Sequence, residues 1–279
     1  MSIRKKLILS FMILAGLLRF IETSFAQEAE RKELQGLFIT ERASSQQEKG
    51  EWQINSDFEY RRNKTDELKQ YKIPVGLEYG IFDWLEFGLK IPYVWQKNAE
   101  STDGFGNLKT EFGFLLLKGN DEIPYIVTGF EIGFPTVDEG KDIAGEEKKY
   151  SYEGSIKITK NFSFFITDIN FNYEQSKNDA SVLGTSEKEN ELEYNIGADF
   201  LLDKIFKMNI EGLHFITEFN GKTNLDNNVD KFYLTSGIKY VFTGGLELGF
   251  GIPLGLNTQS DDFRIISSLT YEWGGVEDE

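Results

Sequence analysis

The chain has 279 residues, among them 30 basic and 46 acidic ones for a net charge of −16, and no cysteine. That excludes a disulfide framework, a thiolate metal site and a lipid-modified cysteine, and the acidity argues against nucleic acid, whose phosphates need a basic patch. With 24 Phe, 12 Tyr, 27 Gly and only 5 Pro, the composition favours strands over helices.

In chain order, Arg4, Lys5 and Lys6 precede an apolar run from Leu7 to Leu18, broken only by Ser10 and Gly16, and then Ser24-Phe25-Ala26. This is the layout of a secretory signal peptide over residues 1–26, cleaved after Ala26. The run is well short of the roughly 18 to 20 residues of a spanning helix, and no later segment has one. Without Arg4, Lys5, Lys6, Arg19 and Glu22 the charge falls to about −19. Residues 27–50, which include EAERKELQ, read as a polar segment in the periplasm before the first strand, with a short helix plugging the lumen as the other reading.

From Trp52 onward apolar residues recur at every second position, the mark of one strand face. The first half gives Trp52 to Tyr60, Tyr71 to Tyr79, Leu85 to Trp95, Leu108 to Leu116, Ile126 to Phe134 and Tyr150 to Ile158. The second half gives Leu192 to Leu202, Phe232 to Phe242, Leu246 to Leu256 and Phe263 to Trp273. Two further stretches, 161–174 and 205–219, change phase near Phe164 and Gly212, which predicts a strand with a bulge in each. The total is about twelve, an even number as in bacterial outer-membrane barrels.

Short links, such as Gly80 to Asp83, Lys160-Asn161, Asp203-Lys204 and Thr243 to Gly245, take turns with long ones at 62–67, 97–106, 136–149, 174–190, 220–230 and 257–262. A lipocalin-like barrel or a sandwich shares the alternation, but only an outer-membrane barrel has cause to gather its long loops at one rim. The expected fold class is therefore all-β: a transmembrane antiparallel up-and-down β-barrel of outer-membrane type over residues 51–273, followed by an acidic tail, 274–279. Ten-residue strands tilted near 45° would span about 23 Å, close to the apolar band of such barrels. Aromatic pairs such as Tyr93 with Trp95 and Tyr271 with Trp273 would sit at the interfaces.

In LEFGLKIP, residues 85–92, Leu, Phe and Ile would face lipid while Glu86, Lys90 and Pro92 face the lumen. Inner-face glycines such as Gly88, Gly197, Gly237, Gly249 and Gly251 would let strands curve and leave space. The same phase turns Glu78, Glu86, Lys90, Glu111, Glu131, Glu153, Lys157, Glu193, Lys239, Glu247 and Arg264 inward as candidate pore-lining residues. Their acidic excess predicts a cation preference.

EKGEWQINSDFEY (48–60), IPVGLEYGIFDWLEFGLKIPYVW (73–95), GFGNLKTEFGFLLLK (104–118) and IGFPTVDEGKD (132–142) resemble a family of bacterial outer-membrane barrels labelled as transporters or as the MetA-pathway of phenol degradation family. The match is best over 37–142. The family usually has Asp where this chain has Asn107, and Gly where it has Val137. The resemblance implies passage of small solutes, hydrophobic or aromatic ones among them, and carries over no catalytic or binding residue.

The residues themselves offer little covalent chemistry. His214 is the single histidine, and no serine neighbours it in sequence; Ser267 would have to meet it in space. No catalytic, cofactor or metal site is expected, and the crowded Asp138, Glu139, Asp142, Glu146 and Glu147 lack the spacing of a calcium loop. The expected partners are the lipid bilayer, lipopolysaccharide, a small solute and the outer-membrane barrel assembly machinery, with export to the outer membrane. The rival reading is a non-conducting barrel with a filled lumen, serving in surface binding or as a structural envelope protein.

Overall fold

The computed structural model describes residues 34–63, 68–97, 101–137, 148–178, 188–206, 212–261 and 263–275. The expected signal peptide, residues 138–147 with their acidic cluster, the loop at 179–187 and the last four residues lie outside the described residues.

Thirteen strands form one antiparallel sheet: β1 (Glu51–Asn63), β2 (Leu68–Phe82), β3 (Leu85–Lys97), β4 (Ser101–Phe105), β5 (Leu108–Leu117), β6 (Tyr125–Phe134), β7 (Lys149–Asn161), β8 (Phe165–Asn178), β9 (Lys188–Leu201), β10 (Leu213–Asn224), β11 (Val229–Val241), β12 (Leu246–Gly255) and β13 (Phe263–Gly274). β1 pairs with both β2 and β13, which closes the ring. β4 pairs only with the end of β3, from Tyr93 to Lys97, while the start of β3 pairs with β5. Twelve strands thus make the barrel, and β4 is a short extension where a plain loop, 97–106, was expected. Closure removes the exposed edges that lipid cannot satisfy.

The faces follow the alternation. Phe87, Phe112 and Phe130 oppose one another on neighbouring strands and are turned outward, whereas Gly88, Glu111 and Glu131 are opposed on the inside. Large apolar side chains populate the outer surface, including Phe58, Val75, Ile156, Ile238 and Phe250. Rings gather at both rims. At the short-turn rim Trp52 meets Tyr79 at 4.4 Å and Phe82 meets Trp84 at 5.5 Å. At the other, Tyr71 meets Tyr60 at 5.0 Å and Trp95 at 4.9 Å. These are the two girdles of a membrane barrel.

Both predicted bulges are corrected. The register shifts lie at Gly80/Phe82 and Leu115/Leu117 instead. Near Phe164 the phase changes because the chain turns: Phe162 donates its N–H to the Phe165 carbonyl at 2.9 Å and their rings stack at 4.5 Å. Near Gly212 the expected strand start is replaced by a helical turn, α1 (Leu202–Phe206), with β10 beginning only at Leu213. Gly212 has φ +79°, and an added Cβ would come 2.4 Å from the Val241 carbonyl oxygen, so glycine is required there.

Candidate functional site: a charged lumen around an N-terminal segment

Residues Leu34 to Gln47 run inside the barrel, not outside it as the periplasmic reading of 27–50 held, and their one helical element is a 3-10 turn, Ala43–Ser45. Such a segment has no ladder of its own, so its buried N–H groups need other acceptors, and lumen side chains supply them. Glu218, 1% exposed, accepts from the N–H of Phe38 at 2.7 Å, Ile39 at 3.1 Å and Thr40 at 2.7 Å, and from the Thr40 hydroxyl at 2.7 Å. Asn170 binds the Glu41 backbone twice, accepting from its N–H at 2.7 Å and donating to its carbonyl at 2.9 Å. Glu247 accepts from the Gln35 N–H at 2.7 Å, Thr159 from Ala43 at 2.7 Å and Glu86 from Gln47 at 2.7 Å. Lys239 donates to the Gly36 carbonyl at 2.8 Å.

Arg42 anchors the segment. Its guanidinium lies 3.2 Å from Asp168 on β8 and 2.9 Å from Asp199 on β9, with all three side chains wholly buried. A third bond, 3.1 Å to the Leu34 carbonyl, folds the segment back on itself. Leu34, Leu37 and Phe38 form an apolar cluster with Ile216, Val241 and Ile266. Four of the inner-face glycines, Gly197, Gly237, Gly249 and Gly251, prove to be sockets for this cluster: a Cβ on Gly251 would meet the Phe38 ring at 2.9 Å, and one on Gly197 would run into Leu37.

On the opposite wall the register puts Glu111, Glu131, Glu153, Glu174 and Glu191 directly opposite one another on β5 through β9. Like charges so placed repel, and three lysines offset them. Lys157 pairs with Glu41 and, at 2.8 Å, with Glu111; Lys109 with Glu131 at 2.7 Å and Glu174 at 3.7 Å; Lys222 with Glu191 at 2.6 Å and Glu193 at 2.8 Å. Among the described residues the Glu153 side chain makes no hydrogen bond or close ion pair. Carboxylate oxygens of Glu131, Glu153 and Glu174 lie within 4.8 Å of one another, but Lys109 already pairs with two of them.

Between the segment and this wall is a cavity of about 190 Å³. Of the sequence-predicted residues, Glu78, Glu86, Lys90, Glu111, Glu131, Lys157 and Lys239 line it. Glu153 and Glu193 face the lumen elsewhere, and Glu247 holds the segment. Arg264 pairs with Glu59 at 3.2 Å and lies 5.2 Å from the Tyr233 ring. Sequence reasoning did not single out Glu218, Asp168 and Asn170; their signal was a polar residue at an inner position of an otherwise regular strand. His214 Nδ1 is 2.8 Å from Asp199, while Ser267 is on the outer face, so the two do not meet and His214 supports the Arg42 anchor.

The chain resembles solved barrels. The COG4313 outer membrane channel from Pseudomonas putida F1 superposes with a TM-score of 0.61 at 13% identity, covering 81% of this chain and 97% of that one. The NanC porin does so at 0.50 and 8% identity, covering 80% and 100%. No curated protein matches the sequence. Residues 38–273 match the family described as "Putative MetA-pathway of phenol degradation".

Proposed function

The chain belongs to that MetA-pathway family of outer-membrane barrels, and from this premise we propose that it passes small solutes through its lumen, beside the N-terminal segment and without covalent chemistry. The observation that carries the reading is the cavity of about 190 Å³ lined by acidic and basic side chains, the kind of wall that wets a pore. Export by the signal peptide, insertion by the barrel assembly machinery and contact of the long loops with lipopolysaccharide through divalent cations belong to the same proposal. The docked segment favours a second reading, a non-conducting barrel with a surface-binding or structural role.

Planar-bilayer recording of the refolded protein separates the two. Stable conductance steps with a cation-leaning reversal potential are expected, and silence from a folded barrel would select the filled-lumen reading. Recorded at alkaline pH, so that this half-buried carboxylate is ionised, Glu153→Gln removes a negative charge that forms no close ion pair among the described residues, and the cation preference should fall. The difference should shrink between 0.1 M and 1 M salt, as the Debye length drops from about 10 Å to about 3 Å. An unchanged reversal potential at low salt would remove Glu153 from the path.

A further inference from the structure

Nearly every charge that lines the cavity beside the N-terminal segment is already engaged. Lys157 and Lys109 hold Glu41, Glu111 and Glu131, and Arg42 holds its two aspartates. Glu78 accepts from the side-chain amides of Gln53 at 2.9 Å and Asn55 at 2.6 Å, Glu86 takes the Gln47 N–H, and Lys239 holds the Gly36 carbonyl. Two lining groups of opposite sign are left over. Among the described residues, the side chains of Asp57 on β1 and Lys90 on β3 make no hydrogen bond or close ion pair, either with each other or with a neighbour. Lys90 is exposed although its strand phase, shared with Glu86 and Gly88, turns it inward, so what it is exposed to is the lumen.

The strand between them keeps the two charges apart. Asp57 is level with Pro74 on β2, one step past the Ser56–Val75 pair; Pro74 is opposite Pro92 on β3, and Gly76 is opposite Lys90. With strands about 4.8 Å apart and residues about 3.4 Å apart along them, the two backbones are about 12 Å from each other. Nothing on the wall bridges that interval. Pro74, Gly76 and Pro92 are buried and carry no polar side chain, and Asn55, which lies over Gly76, directs its amide to Glu78.

An unmatched charge inside a narrow lumen is costly, and a ligand that brings the counter-charge recovers part of that cost. An anion on Lys90 would leave Asp57 unmatched, and a cation on Asp57 would leave Lys90 unmatched. A molecule with an ammonium group at one end and a carboxylate at the other answers both with charge-assisted hydrogen bonds, whereas an uncharged molecule answers neither. The cavity of about 190 Å³ is more than ten times the roughly 15 Å³ that one water needs, which leaves room for a small organic molecule between the two groups.

We propose that Asp57 and Lys90 form a zwitterion site, where small amino acids are held by their ammonium group on Asp57 and their carboxylate on Lys90 as they pass through the lumen. The proposal rests on the barrel being a solute passage and names a class of solute for it.

The test compares uptake of labelled L-alanine into vesicles carrying the refolded barrel with uptake of labelled lactamide, its uncharged isomer. Both are supplied at micromolar concentration, and each rate is corrected by protein-free vesicles. The unaltered barrel should admit alanine several-fold faster than lactamide. Asp57→Asn and Lys90→Gln each remove one of the charges and should bring the ratio close to one. The double exchange, Asp57→Lys with Lys90→Asp, restores both charges in reversed order and should recover most of the preference. Equal rates for the two isomers in the unaltered barrel would overturn the site without any variant having to fold. A preference that survives both single changes would overturn it as well, as would a folded exchange barrel that behaves like the single variants. Equal passage of alanine and lactamide sinks only the site, whereas a folded barrel that passes neither sinks the passage reading and the site with it.

Discussion

Replacing Arg42 with alanine should release the N-terminal segment and raise single-channel conductance. The guanidinium pairs with both Asp168 and Asp199 in a pocket where all three side chains are wholly buried. Removing one partner of such a group costs about 3 to 5 kcal/mol, because the remaining charges stay buried and unbalanced. Holding the segment still costs about 1 to 2 kcal/mol of backbone entropy for each fixed residue, so its docking is a small difference between large terms. Losing the anchor should tip that balance even though Glu218 continues to accept its three N–H groups. Arg42→Lys, which keeps the charge but not the fork that reaches both aspartates, should fall between. The measurement is conductance in planar bilayers, with protease sensitivity of residues 34–47 as the readout of release. A segment that becomes cleavable while conductance stays unchanged would show that it does not obstruct the path. A segment that stays protected would show that Glu218 and the Phe38 socket hold it without Arg42.

The barrel was legible because its signal is local and repeated. A period of two fixes which side chains face lipid, so Phe87, Phe112 and Phe130 could be placed outward and Glu111 and Glu131 inward before any strand was paired. The bulges were misplaced because a tight turn also breaks the period: Phe162, Phe164 and Phe165 interrupt the pattern as an inserted residue would, and only the hydrogen bond closing the turn separates the cases. A plug was one of two readings of the N-terminal segment, but its path and partners were not legible, for a different reason. It has neither the strand period nor the helix period, and its partners are distant in sequence; Arg42 meets Asp168 and Asp199 across 126 and 157 positions. The inner-face glycines are legible as curvature and as space, but nothing in β11 or β12 alone says that Phe38 fills that space.

Replacing Phe112 with arginine should lower the stability of the barrel in lipid by about 2 to 4 kcal/mol, the cost of a cationic side chain near the bilayer midplane. Phe112 is near the centre of β5, opposite Phe87 and Phe130, with the Phe87 ring 5.3 Å away. Its neighbours on the outer surface are thus apolar, and the new guanidinium has no partner there. Lost ring contact adds about 0.5 to 1.5 kcal/mol. Trp84 supplies the contrast: it belongs to the short-turn rim, stacked on Phe82 at 5.5 Å, where an arginine can reach the headgroups and should cost about 0 to 1 kcal/mol. Urea unfolding in lipid vesicles measures both variants on one scale. What decides is the difference between them, because a general effect of adding positive charge to this acidic chain would move the two alike. A large loss at Phe112 with a small one at Trp84 places the bilayer against the middle of the outer face. Equal and small losses would mean that this apolar belt is not held in lipid, and the outer-membrane placement of the barrel would fall with it.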